Sequence, residues 1–214
     1  METELKLSFS NPDEMFPFWN RFFIPKTIPG TYTNLNLETE YFDTSELFLQ
    51  QQKMNLRVRK IREHRFEHTV KMKIDEKNGL HRRYEWEITT ERELFDIDFF
   101  LQEVDKNGDS YQLLENKISH IKSSELKRLF KSRFKRDKIL IQNNISVIEA
   151  VADTGKIISG AYSECFNEIE LELKSGEVSD VISLGDSILS STNAKLDNCS
   201  KYQRGIRLLK EIRL

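Results

Sequence analysis

Six segments of this 214-residue sequence alternate between charged and apolar side chains, and that alternation constrains the fold more than any other feature. In NLRVRK, Arg57 and Arg59 oppose Leu56 and Val58; in TVKMKI, Lys71 and Lys73 oppose Val70, Met72 and Ile74. In RRYEWEI, Arg83, Glu85 and Glu87 oppose Tyr84, Trp86 and Ile88, with Arg82 breaking the pattern at its start. KRDKILI sets Arg136 and Lys138 against Ile139 and Ile141, and NEIELELK sets Glu168, Glu170, Glu172 and Lys174 against Ile169, Leu171 and Leu173. The opening METELKL does the same with Glu2, Glu4 and Lys6.

A period of two marks a β-strand with two unlike faces. Glutamate and lysine are poor strand formers, so a charged face repeated on strand after strand needs a reason. Two arrangements supply one. An open sheet would pack its apolar side on helices and leave the charged side in water, where each ion pair contributes about a few tenths of a kcal/mol. A sheet of about eight strands could instead close and enclose its charged faces in a tunnel. Burying ions in such an interior costs several kcal/mol each unless something multivalent compensates, which points to a polyanion for the Arg and Lys set and divalent cations for the Glu set. The charged faces carry almost no Ser, Thr, Gln or Asn, which the open sheet explains less well.

Around these strands the sequence supplies helices. Asn11, Pro12 and Glu14 read as an N-cap with proline in the first turn, continued by the apolar stripe of Phe16, Trp19, Phe22 and Phe23. NLETEYFDTS reads as an extended segment ending in a cap at Asp43 or Thr44. MNLRVRKI, EHTVKMKID and HRRYEWEIT follow as strands, with DEKNG at 75 to 79 as the turn between the last two. A helix is expected from Thr89 or Thr90 through ERELFDIDFFLQEV, and another over about residues 110 to 131. RFKRDKILI, ISVIEAVADT and FNEIELELK give three more strands, the latter two joined by a turn around Gly155 to Gly160. Two helices, at about 177 to 191 and 199 to 212, close the chain. Hairpin-linked antiparallel strands interrupted by helices make an α+β fold, and with no linker or repeat one domain over residues 1–214 is expected.

Composition excludes more than it selects. With 33 Lys and Arg against 35 Asp and Glu, net charge predicts no particular partner. Cys165 and Cys199 have no zinc spacing and no adjacent base, so free thiols are expected. The start of the chain has no basic region followed by an apolar run, and no stretch approaches the roughly 20 apolar residues that span a bilayer, so a soluble cytoplasmic protein without a membrane partner is expected. His64, His68, His81 and His120 show no ligand spacing, and His64 and His68 read as solvated members of a charged hairpin. KRLFKSRFKRDK interleaves aromatic and basic residues as a nucleic-acid surface does, but reads better as part tunnel lining and part solvated helix face, so no nucleic-acid partner is expected. Trp19 and its Phe neighbours read as core.

The ExExK of METELKLSF, followed by YFDTSELFLQQQKMNLRVRK, VKMK, GLHRRYEWEI, FKRDK, VIEAVADTG, NEIELELKSG and SKYQRG, resembles the CYTH domain family, the triphosphate tunnel metalloenzymes, over essentially the full length and in the family's order. GLHRRYEWEI and NEIELELKSG are similar to its bacterial inorganic triphosphatase branch. Members of that branch often carry a following histidine-rich helical domain, so the resemblance implies the chemistry of the tunnel domain alone.

The resemblance implies an eight-stranded antiparallel closed β-barrel with a charged interior and helices packed outside. Glu2, Glu4, Asp153, Glu168 and Glu170 match its carboxylates for Mg2+ or Mn2+, with Glu172 a further match. Lys6, Arg57, Arg59, Lys71, Lys73, Arg83, Arg136 and Lys138 match its phosphate-contacting set, and Lys201 and Arg204 match the helix that plugs or lines the tunnel. Lys6, Glu4 and Glu170 are the residues implied at the chemistry, Lys6 either orienting water or stabilising the leaving pyrophosphate. The implied function is metal-dependent hydrolysis of inorganic triphosphate to pyrophosphate and phosphate by a monomer or homodimer. Thiamine triphosphatase, nucleoside triphosphatase and class IV adenylate cyclase activities share the tunnel. A non-catalytic polyphosphate-binding module would gain nothing from retained carboxylates.

Overall fold

The structure is a computed structural model that describes residues 1–106 and 110–212. The strands are β1 (Glu2–Ser8), β2 (Thr33–Asp43), β3 (Met54–Arg62), β4 (Arg65–Lys77), β5 (Leu80–Thr90), β6 (Lys127–Asn143), β7 (Ser146–Ser159), β8 (Tyr162–Ser175) and β9 (Lys195–Leu196). The helices are α1 (Pro12–Phe22), α2 (Phe48–Gln51), α3 (Ile97–Glu103), α4 (Tyr111–Ile118), α5 (Val178–Ser191) and α6 (Lys201–Ile212). The sheet order is β5-β4-β3-β2-β6-β7-β8-β1, and β1 returns to pair with β5, closing an eight-stranded antiparallel barrel. The seam uses only the first half of β1: Glu2 to Leu5 pair with β5, while Leu7 and Ser8 pair with the short β9.

The alternation in the sequence becomes the two faces of this barrel. Outward apolar residues of β1, β7 and β8 pack under α1 and α5 around Trp19, Ile148, Ile169, Leu171 and Leu184. Those of β3, β4 and β5 pack under α3 and α4 around Leu56, Val70, Trp86, Phe100 and Leu114. A third cluster joins Tyr41, Phe130, Phe134 and Phe166 to Tyr202 and Ile206 of α6, closing one end of the barrel interior. Among the described residues no helix is long and apolar enough to cross a membrane.

Local chemistry explains most boundaries. Asn11 caps α1 by accepting from the Asp13 N–H at 2.8 Å. Asp43 caps the single turn of α2 with bonds from the N–H groups of Leu49 and Gln50. The β4–β5 turn puts Asn78 and Gly79 at φ 50° and 75°, the left-handed pair that a tight hairpin needs.

Several expectations need correction. The helix expected from Thr89 or Thr90 starts at Ile97, because Thr90 still pairs with Phe66 and the cap is Asp96, which accepts from Phe99 N–H. The helix expected to reach residue 131 ends at Ile118, and KRLFKSRFKRDK lies wholly within β6. Its outward Lys131 and Arg133 pair with Glu38, so they belong to a strand face rather than a solvated helix. Gly155 is strand interior rather than turn, since a Cβ there would collide with Phe134 and the Arg133 carbonyl. His68 is fully buried rather than solvated, its ring stacked 5.1 Å from Phe95 on the outer face of β4.

Candidate active site

The register around β1 assembles the site. On its β5 edge Glu2 lies opposite Arg83; on its β8 edge Lys6 lies opposite Glu170 and Ser8 opposite Glu168. Pairing onward through β7 and β6 sets Asp153 opposite Glu168 and Arg136 opposite Asp153. Charged residues from seven of the eight barrel strands therefore share one cavity of about 380 Å³, to which β2 adds Tyr41, with Lys201 and Tyr202 of α6 closing it. Nine Lys and Arg side chains and eight Glu side chains line it.

Two groups form within this lining. Arg83 Nε donates to Glu2 at 2.7 Å and pairs with Glu4, while Lys71 sits 3.3 Å from Glu2 and 2.8 Å from Glu85. Arg57 and Arg59 complete this side, 3.3 and 3.1 Å from Glu67. In the second group, Asp153, Glu168 and Glu170 bring carboxylate oxygens within 4.8 Å of one another. Arg136 forks onto Asp153 at 2.7 and 2.6 Å and reaches Glu170 at 3.1 Å. Lys201 Nζ touches all three carboxylates, 2.7 Å from Asp153, 3.0 Å from Glu170 and hydrogen-bonded to Glu168.

These contacts set the charge states. Burial disfavours the charge on Glu2, but Lys71 and Arg83 overcome it and hold its carboxyl well below the usual range. Burial is likewise outweighed at Glu170 by Lys201, Arg136 and Lys6, leaving it well below the usual range. At Glu168 burial wins over Lys201 and Lys6 and pushes the carboxyl up. Burial also lifts Glu85 to about 7, reinforced by its hydrogen bond with Glu2. Arg59 is brought down to about 10 by burial and by neighbouring Arg57.

The donor chemistry fits a hard divalent cation. Asp153, Glu168 and Glu170 offer only oxygen, with no His or Cys among them, as Mg2+ or Mn2+ prefers. Glu168 Oε2 is buried without a hydrogen-bond partner, an oxygen donor that fits such a cation, with the Lys6 ammonium 3.8 Å away. Lys201 supplies positive charge at this point.

Most of the residues singled out in the sequence converge here. Glu2, Glu4, Lys6, Arg57, Arg59, Lys71, Arg83, Arg136, Lys138, Glu170 and Lys201 line the cavity, and Asp153 and Glu168 lie fully buried behind it. Glu2 and Glu4 stand outside the three-carboxylate group, held by Arg83. Three positions differ from expectation. Lys73 lies past the end of β3, where its partner is Glu76 and it faces a second cavity. Arg204 sits about 4.5 Å further along α6 than Lys201, given the 1.5 Å rise per residue, and binds Asp197 and Glu164 instead of the cavity. Lys6 donates to the Cys199 carbonyl and lies 3.9 Å from Asp197, at the root of α6. Sequence reasoning did not place Glu67 or Glu149 in the site, although both share the parity of its residues, Glu67 with Lys71 and Glu149 with Asp153.

The CYTH domain matches residues 1–206. An inorganic triphosphatase of Haemophilus influenzae is 32% identical over 179 residues, which are 83% of this chain and 47% of that protein, so the chain spans about half the relative's length. Among solved structures, HpAC1 of Hippeastrum, an adenylyl cyclase candidate that reveals a dominant triphosphatase activity, superposes with a TM-score of 0.68 at 16% identity over 94% of this chain and 93% of that one. An adenylate cyclase candidate of Bacillus halodurans superposes with a TM-score of 0.56 at 18% identity over 95% of this chain and 98% of that one. Both likenesses are of fold. With the family match over nearly the whole length and the charged barrel in place, this chain belongs to the CYTH domain family.

Proposed function

We propose that the protein hydrolyses inorganic triphosphate to pyrophosphate and phosphate with the help of Mg2+ or Mn2+. The observation that carries this reading is the charge balance of the tunnel. Nine basic side chains face eight carboxylates, with Asp153 and Glu168 behind them, so the protein alone offers a triphosphate no net positive charge. Binding a polyanion there requires added cations, and the Asp153, Glu168 and Glu170 group is built of the oxygen donors to hold one. The name of the Haemophilus relative supports the same substrate.

In this reading Arg57, Arg59 and Arg136 grip phosphate oxygens through forked contacts, while Lys71 and Lys138 act as point charges. Arg83, with Lys71, holds Glu2 ionised and also pairs with Glu4, which aligns both carboxylates along the seam. A divalent cation, when bound, neutralises phosphate charge and makes a nearby water more acidic. Glu4 of β1 and Glu170 of the adjacent β8 line the same cavity, and in this reading they are the carboxylates that would serve the attacking water. Lys6 acts through the Cys199 carbonyl and Asp197 as a positioning residue for α6.

The test compares phosphate and pyrophosphate release from inorganic triphosphate, ATP and thiamine triphosphate, with Mg2+, with Mn2+ and with a chelator. Preferential, chelator-sensitive release of phosphate from inorganic triphosphate supports the reading. Pyrophosphate and cyclic AMP from ATP, or no turnover of any of the three, overturns it.

A further inference from the structure

The tunnel is not the largest cavity in the molecule. Beside it, where the ends of β3, β4 and β5 meet α6, lies a cavity of about 540 Å³. Asn55, Lys71, Arg83, Ser200 and Tyr202 line both, so the two cavities share a wall that contains two of the tunnel's basic residues. Their charge differs sharply. The tunnel is nearly balanced, whereas the second cavity carries seven Lys and Arg side chains against three Asp and Glu.

We infer that this antechamber holds the further phosphates of a linear polyphosphate whose terminal triphosphate occupies the tunnel, an inference that rests on the function proposed above. Lys71 and Arg83 line both cavities, so a chain that spans the two meets the same pair of cations at the shared wall. Lys53 and Lys210 are exposed on the rim, and among the described residues neither has an acidic partner. Unpaired basic groups on an open rim attract anions without first breaking an ion pair. A nucleoside fits this lining less well. The phenol ring there, Tyr202, is buried and packs against the stacked pair of Tyr41 and Phe130, 6.0 and 5.9 Å away, which leaves little free face for a base.

The test measures binding and turnover of inorganic triphosphate, tetraphosphate and longer size-fractionated polyphosphate by the wild-type protein and by the double variant Lys53→Gln/Lys210→Gln. Both lysines lie outside the tunnel lining, so triphosphate binding and turnover stay at wild-type values in the variant. The expected result is tighter calorimetric binding of longer chains than of triphosphate in the wild type, and roughly a threefold to tenfold loss of that advantage in the variant, the size of two exposed ion contacts. Equal binding of all chain lengths by the wild type, or an advantage that the variant keeps, overturns the inference. So does lysine-dependent tightening with nucleoside triphosphates instead of longer chains. Because chain-length dependence is read by binding, absent turnover counts against the hydrolytic function, while absent length dependence with normal triphosphate hydrolysis counts against the antechamber alone.

Discussion

Replacing Lys201 with Met should destabilise the protein when no divalent ion is present, and an added ion should restore most of the loss. The Lys201 side chain is 9% exposed, and Asp153 and Glu168 are fully buried. Removing one partner from such a cluster leaves charge buried without compensation, which costs about 3–5 kcal/mol. Arg136 still serves Asp153 and Glu170, so the residue left bare is Glu168, whose other cation is Lys6 at 3.8 Å. The lower figure, about 3 kcal/mol, therefore applies. At about 2–4 °C per kcal/mol for a chain of this size, Tm should fall by roughly 6–12 °C. A divalent ion at 100 times its Kd returns about 2.7 kcal/mol. The wild type should gain less from the same ion, because its own ammonium must leave the carboxylates first. Thermal unfolding with chelator and across a Mg2+ or Mn2+ titration reads both quantities. A metal-free Tm within about 2 °C of wild type, or equal ion-induced shifts in the two proteins, would refute the view that Lys201 and the ion share one site.

Glu2→Ala should abolish most triphosphate turnover at only a modest loss of Tm, because Arg83 keeps Glu4 and Lys71 keeps Glu85 as partners; wild-type turnover at saturating metal would remove Glu2 from the site. Arg59→Ala should raise KM for triphosphate more than it lowers kcat, and the reverse split would give Arg59 a role confined to the transition state. Gly205→Ala puts a Cβ into the ring of Phe130, so α6 should shift and its C-terminal end become open to limited proteolysis, at about 1–3 kcal/mol of stability. His68 is held neutral: burial lowers its pKa, its Nε2–H donates to the Arg92 carbonyl at 2.8 Å, and Nδ1 has no partner. With the folded pKa below the unfolded one, the unfolded chain takes up the proton first, so stability is lost as pH falls below about 6.5, by at most about 1.4 kcal/mol per pH unit. Urea midpoints between pH 7 and 5 should fall less steeply in His68→Gln.

The strands were legible because a closed barrel with unlike faces writes itself into the sequence at every second residue. Arg57, Glu85, Arg136 and Glu170 point inward as that parity demands. The same parity carries Glu67 and Glu149 into the tunnel lining. What the sequence concealed are features decided by contacts distant along the chain. KRLFKSR reads as a helix from local propensity, yet Glu38 and Glu40 on β2 give its outward basic residues strand partners. His68 sits among charges in sequence but opposite Ile88 and under Phe95 in space. Lys73 and Arg204 carry the right charge at the right period. Strand length and helix rise, which a period does not encode, carry them past the tunnel.

The balance of charges inside the barrel links stability to binding. Without a ligand, the basic residues are satisfied by carboxylates: Arg57 and Arg59 by Glu67, Arg83 by Glu2 and Glu4, Arg136 by Asp153 and Glu170. A phosphate that takes any of these cations strands the carboxylate that held it, and in a buried setting that penalty rivals the new contact. On the proposed function, a divalent ion held by Asp153, Glu168 and Glu170 would supply the positive charge that carboxylates released in this way lose. An anion site made only of Arg and Lys would bind triphosphate without help, but it would repel itself when empty. The carboxylates therefore let a strongly basic interior fold without a bound anion, and on the function proposed above they would make triphosphate binding conditional on the metal.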